Sequence, residues 1–164
     1  MTQLARVLGA KHTISSTTNH NTAEQAKALG FDEVIDLTRE KLGDGVRRIT
    51  VGRGADIVID SIAGDLLGEA LGALAPNGCL TTLGYSAGRR ASIDVTDLIW
   101  KRATIKSFSL FAQPQAAWEE AWHTLLESGA IKPIVAKTFP LAEAADALHY
   151  LIEDRSFGMV VLTI

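Results

Sequence analysis

Four small hydroxylated residues, Ser15, Ser16, Thr17 and Thr18, end the first stretch of the chain that is rich in β-branched residues. Hydroxyl groups at the end of a strand can donate hydrogen bonds to a phosphate, and no Asp or Glu in this run repels one. The run therefore predicts a contact to a phosphorylated ligand. The alternative is a polar loop without a ligand.

Two further segments place glycine beside polar residues directly after an apolar run. The first is Asp60-Ser61-Ile62-Ala63-Gly64, and the second is Gly84-Tyr85-Ser86. Glycine lets the backbone approach a flat ring or adopt a positive φ. Both segments are candidate ligand contacts, and ordinary strand-to-helix turns are the alternative.

The sequence contains no apparent acid–base pair or nucleophilic triad, so the catalytic residues stay unknown. The histidines at positions 12, 20, 123 and 149 are scattered, whereas zinc needs three or four convergent ligands, and we expect no metal site. Cys79 is the single cysteine, cannot form an internal disulfide and suits a reducing compartment. It is interpreted as a small core residue. Tyr85 could donate a proton, although a plain loop aromatic is the simpler interpretation.

Short β-like runs alternate with helical runs along the chain. Strands are predicted over residues 11–17, 33–37, 55–60, 79–83, 104–110 and 159–163. Helices are predicted over residues 2–8, 22–29, 39–50, 113–128 and 141–152, with another that Asp65 caps. Strands separated by single helices pair in parallel through right-handed crossovers. The pattern predicts a doubly wound, Rossmann-like α/β fold with a mostly parallel sheet.

Three of these segments carry a specific expectation about burial. The continuous apolar centre of residues 55–60 is typical of a strand buried on both faces. Helix 113–128 is expected to bury Trp118, Trp122, Leu125 and Leu126. Helix 141–152 is the clearest amphipathic helix, with the apolar stripe Leu141, Ala144, Ala145, Leu148, Leu151 and Ile152.

The composition excludes several classes of protein. The chain has 164 residues, which is the usual size of one domain, so we expect a single domain over residues 1–164. A net charge of −3 gives no basic field for nucleic acid. No apolar run approaches the roughly 20 residues needed to cross a bilayer, and we expect a cytoplasmic protein without a membrane partner.

An ordered set of segments resembles the medium-chain dehydrogenase/reductase superfamily, in its zinc-independent quinone oxidoreductase and zeta-crystallin branch. The segments are 25–30, 33–36, 54–64, 74–84, 128–133 and 139–149. In that family, a first strand and a glycine-rich turn precede the helix that corresponds to residues 2–8. The turn binds the pyrophosphate. Here the chain begins at Met1 near that helix and contains no G-x-G-x-x-G, so we expect a domain truncated at its N-terminus, without the catalytic GroES-like domain.

The resemblance implies a nicotinamide cofactor and places the candidate contacts along it. Ser15–Thr18 would face the adenosine ribose, which favours NADP(H) over NAD(H) because no acid stands there. The segments at 60–64 and 84–86 would line the nicotinamide ribose and ring, and Ser109-Leu110-Phe111 resembles the loop beside the ring. Phe111 is otherwise a core or dimer-contact aromatic. Where the family often has lysine and tyrosine, this chain has Thr22 and Leu37, and Arg39 is the cation that could compensate.

The function implied by the resemblance is the cofactor-binding portion of an NADPH-dependent quinone or enone oxidoreductase. The alternative is an inactive remnant or excised domain that binds nucleotide weakly or only self-associates. The family also implies a homodimer, joined through the edge strand that runs from Thr104 to Leu110. If the first strand is absent, the strands that contain Ile14 and Val58 are expected to pair directly, since unpaired interior backbone groups are costly. The alternative is that a segment from another copy of the chain fills the gap.

Overall fold

The computed structural model describes residues 1–127, 129, 131–153 and 157–164. Its strands are β1 (Ile14–Thr17), β2 (Glu33–Asp36), β3 (Ala55–Asp60), β4 (Leu74–Thr82), β5 (Thr104–Ser107), β6 (Val135–Pro140) and β7 (Met159–Thr163). Its α-helices are α1 (Thr2–Val7), α2 (His20–Ala28), α3 (Leu42–Ile49), α4 (Asp65–Gly72), α5 (Val95–Lys101), α6 (Gln115–Glu127) and α7 (Ala144–Glu153). Short 3-10 helices cover Leu110–Ala112 and Leu141–Glu143.

The strands pair in three groups. β1 pairs with β2, the order of the central group is β3-β4-β5, and β6 pairs with β7. The pairs β3–β4, β4–β5 and β6–β7 are parallel, and a helix lies between the two strands of each pair, which is the usual crossover for parallel strands. The predicted α/β class with parallel strands is confirmed.

The chain forms two compact units. Residues 1–34 and 120–164 make up the first unit, and residues 35–119 make up the second. The boundaries pass through β2 and through α6. A single nucleotide-binding domain over residues 1–164 stays a prediction.

The core of the second unit lies between the sheet β3-β4-β5 and the helices on one side of it. Leu71 and Leu80 are fully buried there, beside Ala70 and Leu74. Val58 reaches this core from β3. The alternate residues of β3 point to the other face, because successive side chains of a strand point in opposite directions.

β3 was expected to be buried on both faces, but one of its faces is exposed. Ile57 is 70% exposed and Ile59 is 48% exposed. A continuous apolar run shows that both faces favour burial, but α4 covers only the face that carries Val58. The sequence-based prediction was therefore wrong for the face of Ile57 and Ile59.

The first unit has a smaller core between α2 and the segment that follows it. Ala23, Ala26 and Val34 are buried, and Phe31 packs edge-on against Phe157 with 5.5 Å between ring centroids. Asp32 ties this region to α1, because its carboxylate accepts hydrogen bonds from Arg6 and from Thr13.

The helical faces expected to be buried are exposed in this structure. On α6, Trp118, Trp122 and Leu126 are exposed, Leu125 is half-buried, and Ser128 lies outside the described residues. On α7, Leu148 and Ile152 are exposed and Ala147 is the residue that is buried. Both helices form as predicted, but an amphipathic stripe identifies the side that favours burial and supplies no partner for it.

The pairing expected between the strands of Ile14 and Val58 is also wrong. Ile14 lies in β1, whose partner is β2, while Val58 lies in β3, whose partner is β4. β2 occupies one edge of β1 and β4 occupies one edge of β3, and among the described residues no hydrogen-bonded pairing joins β1 to β3.

Several boundaries differ from those predicted. Asn19 caps α2 by accepting the Thr22 N–H at 3.2 Å, where Thr22 was expected to be the cap. Gly64 precedes α4, so Asp65 is its first helical residue instead of its cap. The helix α5 and the strand β6 were not predicted. None of the helices described is long and apolar enough to cross a membrane.

Candidate functional site

The candidate site lies in the second unit, at the carboxyl ends of β3 and β4. Asp60 and Thr82 are register partners at the last position of these strands. The segments that leave the two strands run side by side, because Leu83 N–H donates to the Asp60 carbonyl at 2.9 Å and Ala87 N–H donates to the Ile62 carbonyl at 2.8 Å. A parallel bridge between Ala63 and Gly88 continues the pairing. The two loops therefore form one hydrogen-bonded layer beyond the sheet.

Glycine is required at two points where these loops touch. A Cβ at Gly84 would lie 2.0 Å from the Ser61 carbonyl oxygen, which is far inside van der Waals contact. A Cβ at Gly64 would lie 2.9 Å from the Ala87 carbonyl oxygen, and Gly64 also has a φ of +64°. Both glycines thus allow close contact between the loops. Gly64 has the positive φ that the sequence predicted as one role for it, and the approach of either glycine to a flat ring stays a prediction.

Asp60 is directed into this layer. Its side chain is buried, one carboxylate oxygen accepts the N–H groups of Ile62 and Ala63 at 3.1 and 3.0 Å, and the other accepts the Thr82 hydroxyl at 3.0 Å. An ionised carboxylate can accept about four hydrogen bonds, so these three use most of its acceptor sites.

The outer surface of the layer carries polar and aromatic groups. Ser61, Tyr85 and Ser86 are exposed, while Ile62 is half-buried. The guanidinium of Arg89 lies over the Tyr85 ring, 5.6 Å from its centroid. A cation stacked on an aromatic face restricts both side chains.

The end of β5 extends the same edge. Phe108 N–H donates to the Thr82 carbonyl at 2.9 Å, so the chain after Ser107 stays beside β4 for one more residue. Leu110 and Phe111 follow in a 3-10 turn, and the Phe111 side chain is 97% exposed. Phe111 is therefore not a core residue of this chain. The ends of β3, β4 and β5 together present Ser61, Tyr85, Ser86 and Phe111 to solvent.

The hydroxyl run at residues 15–18 belongs to the first unit. It ends β1, where Ser16 and Thr18 are exposed and Ser15 and Thr17 are half-buried. The Thr17 Oγ1 accepts the Asn19 N–H at 3.2 Å, which orients this hydroxyl at the start of α2. Exposed hydroxyls directly before a helix N-terminus have the chemistry to bind a phosphate.

Arg39, the cation proposed to compensate for Thr22 and Leu37, lies near an acid of its own unit. Its Nε is 3.6 Å from Asp36 Oδ2, and its side chain is 68% exposed. Asp36 in turn accepts the Thr38 N–H at 3.0 Å and the Thr38 hydroxyl at 2.6 Å. Part of the charge of Arg39 is therefore already balanced by Asp36.

The other titratable groups do not converge on the site. Among the residues described, no group of three His, Cys, Asp or Glu side chains could hold a metal ion. His123 and His149 each contact a glutamate one helical turn away, Glu127 and Glu153, at 3.2 Å. Cys79 is a half-buried free thiol in β4.

Sequence reasoning missed two members of this arrangement. Thr82 was included only as part of a strand, and its hydroxyl contact to Asp60 depends on register between residues 22 positions apart. Arg89 carried no signal beyond a positive charge close to Gly88. A polar residue at the last position of each of two neighbouring strands is the pattern that could have identified the Asp60–Thr82 pair.

Comparison with known proteins identifies the class and then the family. The parallel strands, with loops joined at their carboxyl ends, define a Rossmann-like nucleotide-binding α/β fold. The family described as zinc-binding dehydrogenase matches residues 1–127, and the chain belongs to this family of the medium-chain dehydrogenase/reductase superfamily. The family consists of oxidoreductases that use a nicotinamide cofactor.

Individual relatives agree with this assignment. The chain is 32% identical to 2-haloacrylate reductase from a Burkholderia species, over 99% of the chain and 50% of that protein. It is 29% identical to a quinone oxidoreductase from Pseudomonas aeruginosa, over 98% of the chain and 51% of that protein. The crystal structure of 2-haloacrylate reductase matches with a TM-score of 0.79 and 32% identity, over 100% of the chain and 53% of that structure. The chain thus spans about half the length of these relatives.

Proposed function

We propose that this chain is the cofactor-binding portion of an NADPH-dependent oxidoreductase that reduces quinones or enones. The observation that carries the proposal is the joined layer of loops at the carboxyl ends of β3 and β4, since ligands of doubly wound folds bind beyond these ends. The reductase and quinone oxidoreductase among the relatives support the reaction class.

The groups present fit a nicotinamide dinucleotide. Ser61, Tyr85 and Ser86 supply exposed hydroxyls for the ribose and carboxamide of the nicotinamide half, together with the backbone of Ile62, Gly64 and Gly84. Leu110 and Phe111 supply apolar surface for the ring. When bound, the cofactor supplies the hydride, and the protein orients the ring and excludes water from it.

The adenosine ribose of the cofactor, with its 2′-phosphate, would be held by residues 15–18. The exposed hydroxyls of Ser16 and Thr18, with no acid among the four residues, favour a 2′-phosphate over a free 2′-hydroxyl. NADP(H) is therefore the proposed cofactor in preference to NAD(H). The substrate would be a small neutral or weakly polar electrophile such as a quinone or an enone.

The cofactor choice is tested by placing an acid at residue 16. Ser16→Asp should weaken NADPH binding by about tenfold or more, because a carboxylate repels the 2′-phosphate, and should leave NADH binding equal or tighter. Ser16→Asn is the matched control, with similar size and no charge. Amide shift titrations with both nucleotides measure the ratio, and an unchanged NADPH affinity in Ser16→Asp would overturn the NADP(H) assignment.

A self-association module is the second candidate function. The exposed apolar faces of α6 and α7, including Trp122 and Ile152, favour it, because contiguous apolar surface often marks a protein interface. Light scattering combined with NADPH titration separates the two functions. Association without any nucleotide binding would favour this second candidate.

A further inference from the structure

The Asp60 carboxylate is hydrogen-bonded to groups of the protein within the candidate site. Asp60 is only 7% exposed, and its carboxylate accepts two backbone N–H groups and one hydroxyl, at 3.0 to 3.1 Å. With so little exposed surface, the carboxylate is poorly accessible to a cofactor ribose or carboxamide. The geometry is that of a side chain that fixes its own loop, which differs from that of a ligand contact.

The loop that Asp60 holds has an unfavourable backbone conformation. Ala63 has a φ of +54° and Gly64 a φ of +64°, so two consecutive residues occupy the left-handed region. A non-glycine residue persists in this region only where its surroundings enforce it. The Ala63 N–H donates to Asp60 and the Ile62 carbonyl accepts from Ala87, so both polar groups of the peptide that precedes Ala63 are hydrogen-bonded. The bridge between Ala63 and Gly88 holds the same residue beside the neighbouring loop.

We propose that Asp60 and Thr82 are positioning residues that hold the segment Ser61–Gly64 in the conformation that contacts the nicotinamide half of the cofactor. This inference rests on the proposed function. Thr82 orients the carboxylate from β4, and the carboxylate orients the N–H groups of Ile62 and Ala63. Asp60 itself does not touch the cofactor.

This role predicts a particular response to substitution. An Asn side chain can accept both N–H groups with its carbonyl oxygen and donate its amide to the Thr82 hydroxyl, so it can reproduce the three hydrogen bonds without the charge. An Ala side chain can form none of them. If Asp60 acted through its charge, Asn would fail as Ala does.

The test is an NMR shift titration of the 164-residue chain with two half-cofactors. Reduced nicotinamide mononucleotide probes the nicotinamide half, and 2′,5′-ADP probes the adenosine half. Asp60→Ala should weaken mononucleotide binding about tenfold, the equivalent of one buried hydrogen bond, and leave 2′,5′-ADP within about twofold. Asp60→Asn should restore the mononucleotide affinity to within about threefold of the wild type.

Two controls separate positioning from a general loss of stability. Asp36→Ala removes a similarly buried aspartate that holds its own turn through Thr38, and it should leave mononucleotide binding unchanged. Hydrogen exchange of the Ile62 and Ala63 amides should become faster in Asp60→Ala and in Thr82→Val, and stay slow in Asp36→Ala. Thr82→Val, which retains the carboxylate, serves if Asp60→Ala does not fold.

The outcomes are distinguishable. Equal mononucleotide affinity in the wild type and Asp60→Ala, with fast exchange at residues 62 and 63, would overturn the positioning role and leave the proposed function standing. Failure of Asp60→Asn to restore binding would overturn it in favour of a charge effect. A wild-type chain that shows no saturable shifts with NADPH itself would overturn the proposed function, and the positioning role with it.

Discussion

The contact between Asp32, Arg6 and Thr13 gives a stability prediction whose size follows from the structure. Asp32 Oδ2 accepts the Thr13 N–H at 2.9 Å and the Thr13 hydroxyl at 2.8 Å, and Oδ1 pairs with the Arg6 guanidinium. The Asp32 side chain is 21% exposed, whereas Arg6 is 46% exposed. Solvent therefore screens the ion pair more than it screens the two bonds from Thr13.

Asp32→Asn should lower the free energy of unfolding by about 1–3 kcal/mol at pH 7. Hydrogen bonds to a charged group contribute about 1.5–3 kcal/mol each, but the exposed Arg6 adds little and the Asn carbonyl retains part of the bonding to Thr13. For a chain of this size the change corresponds to a melting temperature lower by roughly 2–12 °C. Circular dichroism melts measure it, and Glu33→Gln, at the adjacent exposed acid, is the matched control.

The same contact predicts a pH dependence. Desolvation by itself would raise the pKa of Asp32, but the hydrogen bonds from Arg6 and Thr13 outweigh it and hold the pKa below its usual value. Because the folded pKa is the lower one, the stabilisation is complete above the unfolded pKa of about 3.9 and is lost as the pH falls through the folded pKa. The difference in melting temperature between the wild type and Asp32→Asn should shrink below about pH 4. A difference that stays constant from pH 7 to pH 3 would refute this reasoning.

Three further predictions concern the second unit and the activity. Gly84→Ala should destabilise the chain by about 1–3 kcal/mol in urea unfolding, because its Cβ would overlap the Ser61 carbonyl oxygen; an unchanged midpoint would contradict the packing of the loops. A homodimer through β5 is proposed. The Phe108 N–H points to Thr82 of β4, and because successive N–H groups of a strand point to opposite edges, the Ser107 N–H points to the outer edge of β5. Ser107→Pro removes this outer donor and should give a folded monomer by light scattering. Lys106→Pro, which removes an inward donor, should instead destabilise the fold, and a Ser107→Pro dimer would exclude this edge. The 164-residue chain should show no meaningful turnover of NADPH with a simple quinone, because it contains no G-x-G-x-x-G to bind the pyrophosphate; rates usual for quinone reductases would contradict this.

The order of elements followed from hydrophobic patterns. β3 was predicted with the bounds it has, because Gly54 precedes it and its apolar centre ends at Asp60. Parallel pairing with β4 followed from the helix between the two strands. The candidate site loops were identified because the carboxyl ends of parallel strands lie at one edge of the sheet, and each of these two loops contains a glycine.

Helix α5 shows where local patterns were insufficient. Val95, Thr96 and Ile99 are β-branched and weaken a helical signal. The features that specify the helix are its ends, where the Asp94 carboxylate accepts the Thr96 N–H at 2.8 Å and Lys101 pairs with Asp97 at 2.9 Å. The hydrogen bonds from Thr96 also hold the pKa of Asp94 below its usual value.

Burial could not be predicted from amphipathicity alone. The stripes with Trp122 on α6 and Ile152 on α7 were identified correctly as apolar, yet both are exposed. The contact between Asp60 and Thr82 could not be predicted either, because it depends on the register of two strands. Sequence patterns define which groups favour burial or hydrogen bonding, whereas tertiary structure determines which partners they find.

The most direct test of cofactor binding is an amide shift titration of the chain with NADPH. The account predicts saturable changes concentrated in residues 60–64 and 84–86, with further changes at residues 15–18 that NADH reproduces only in part. Without a glycine-rich phosphate loop, the dissociation constant should lie orders of magnitude above that of a complete site, in the roughly millimolar range. Changes spread evenly over the chain, or absent from residues 60–64 and 84–86 at saturating NADPH, would contradict the assignment of this site.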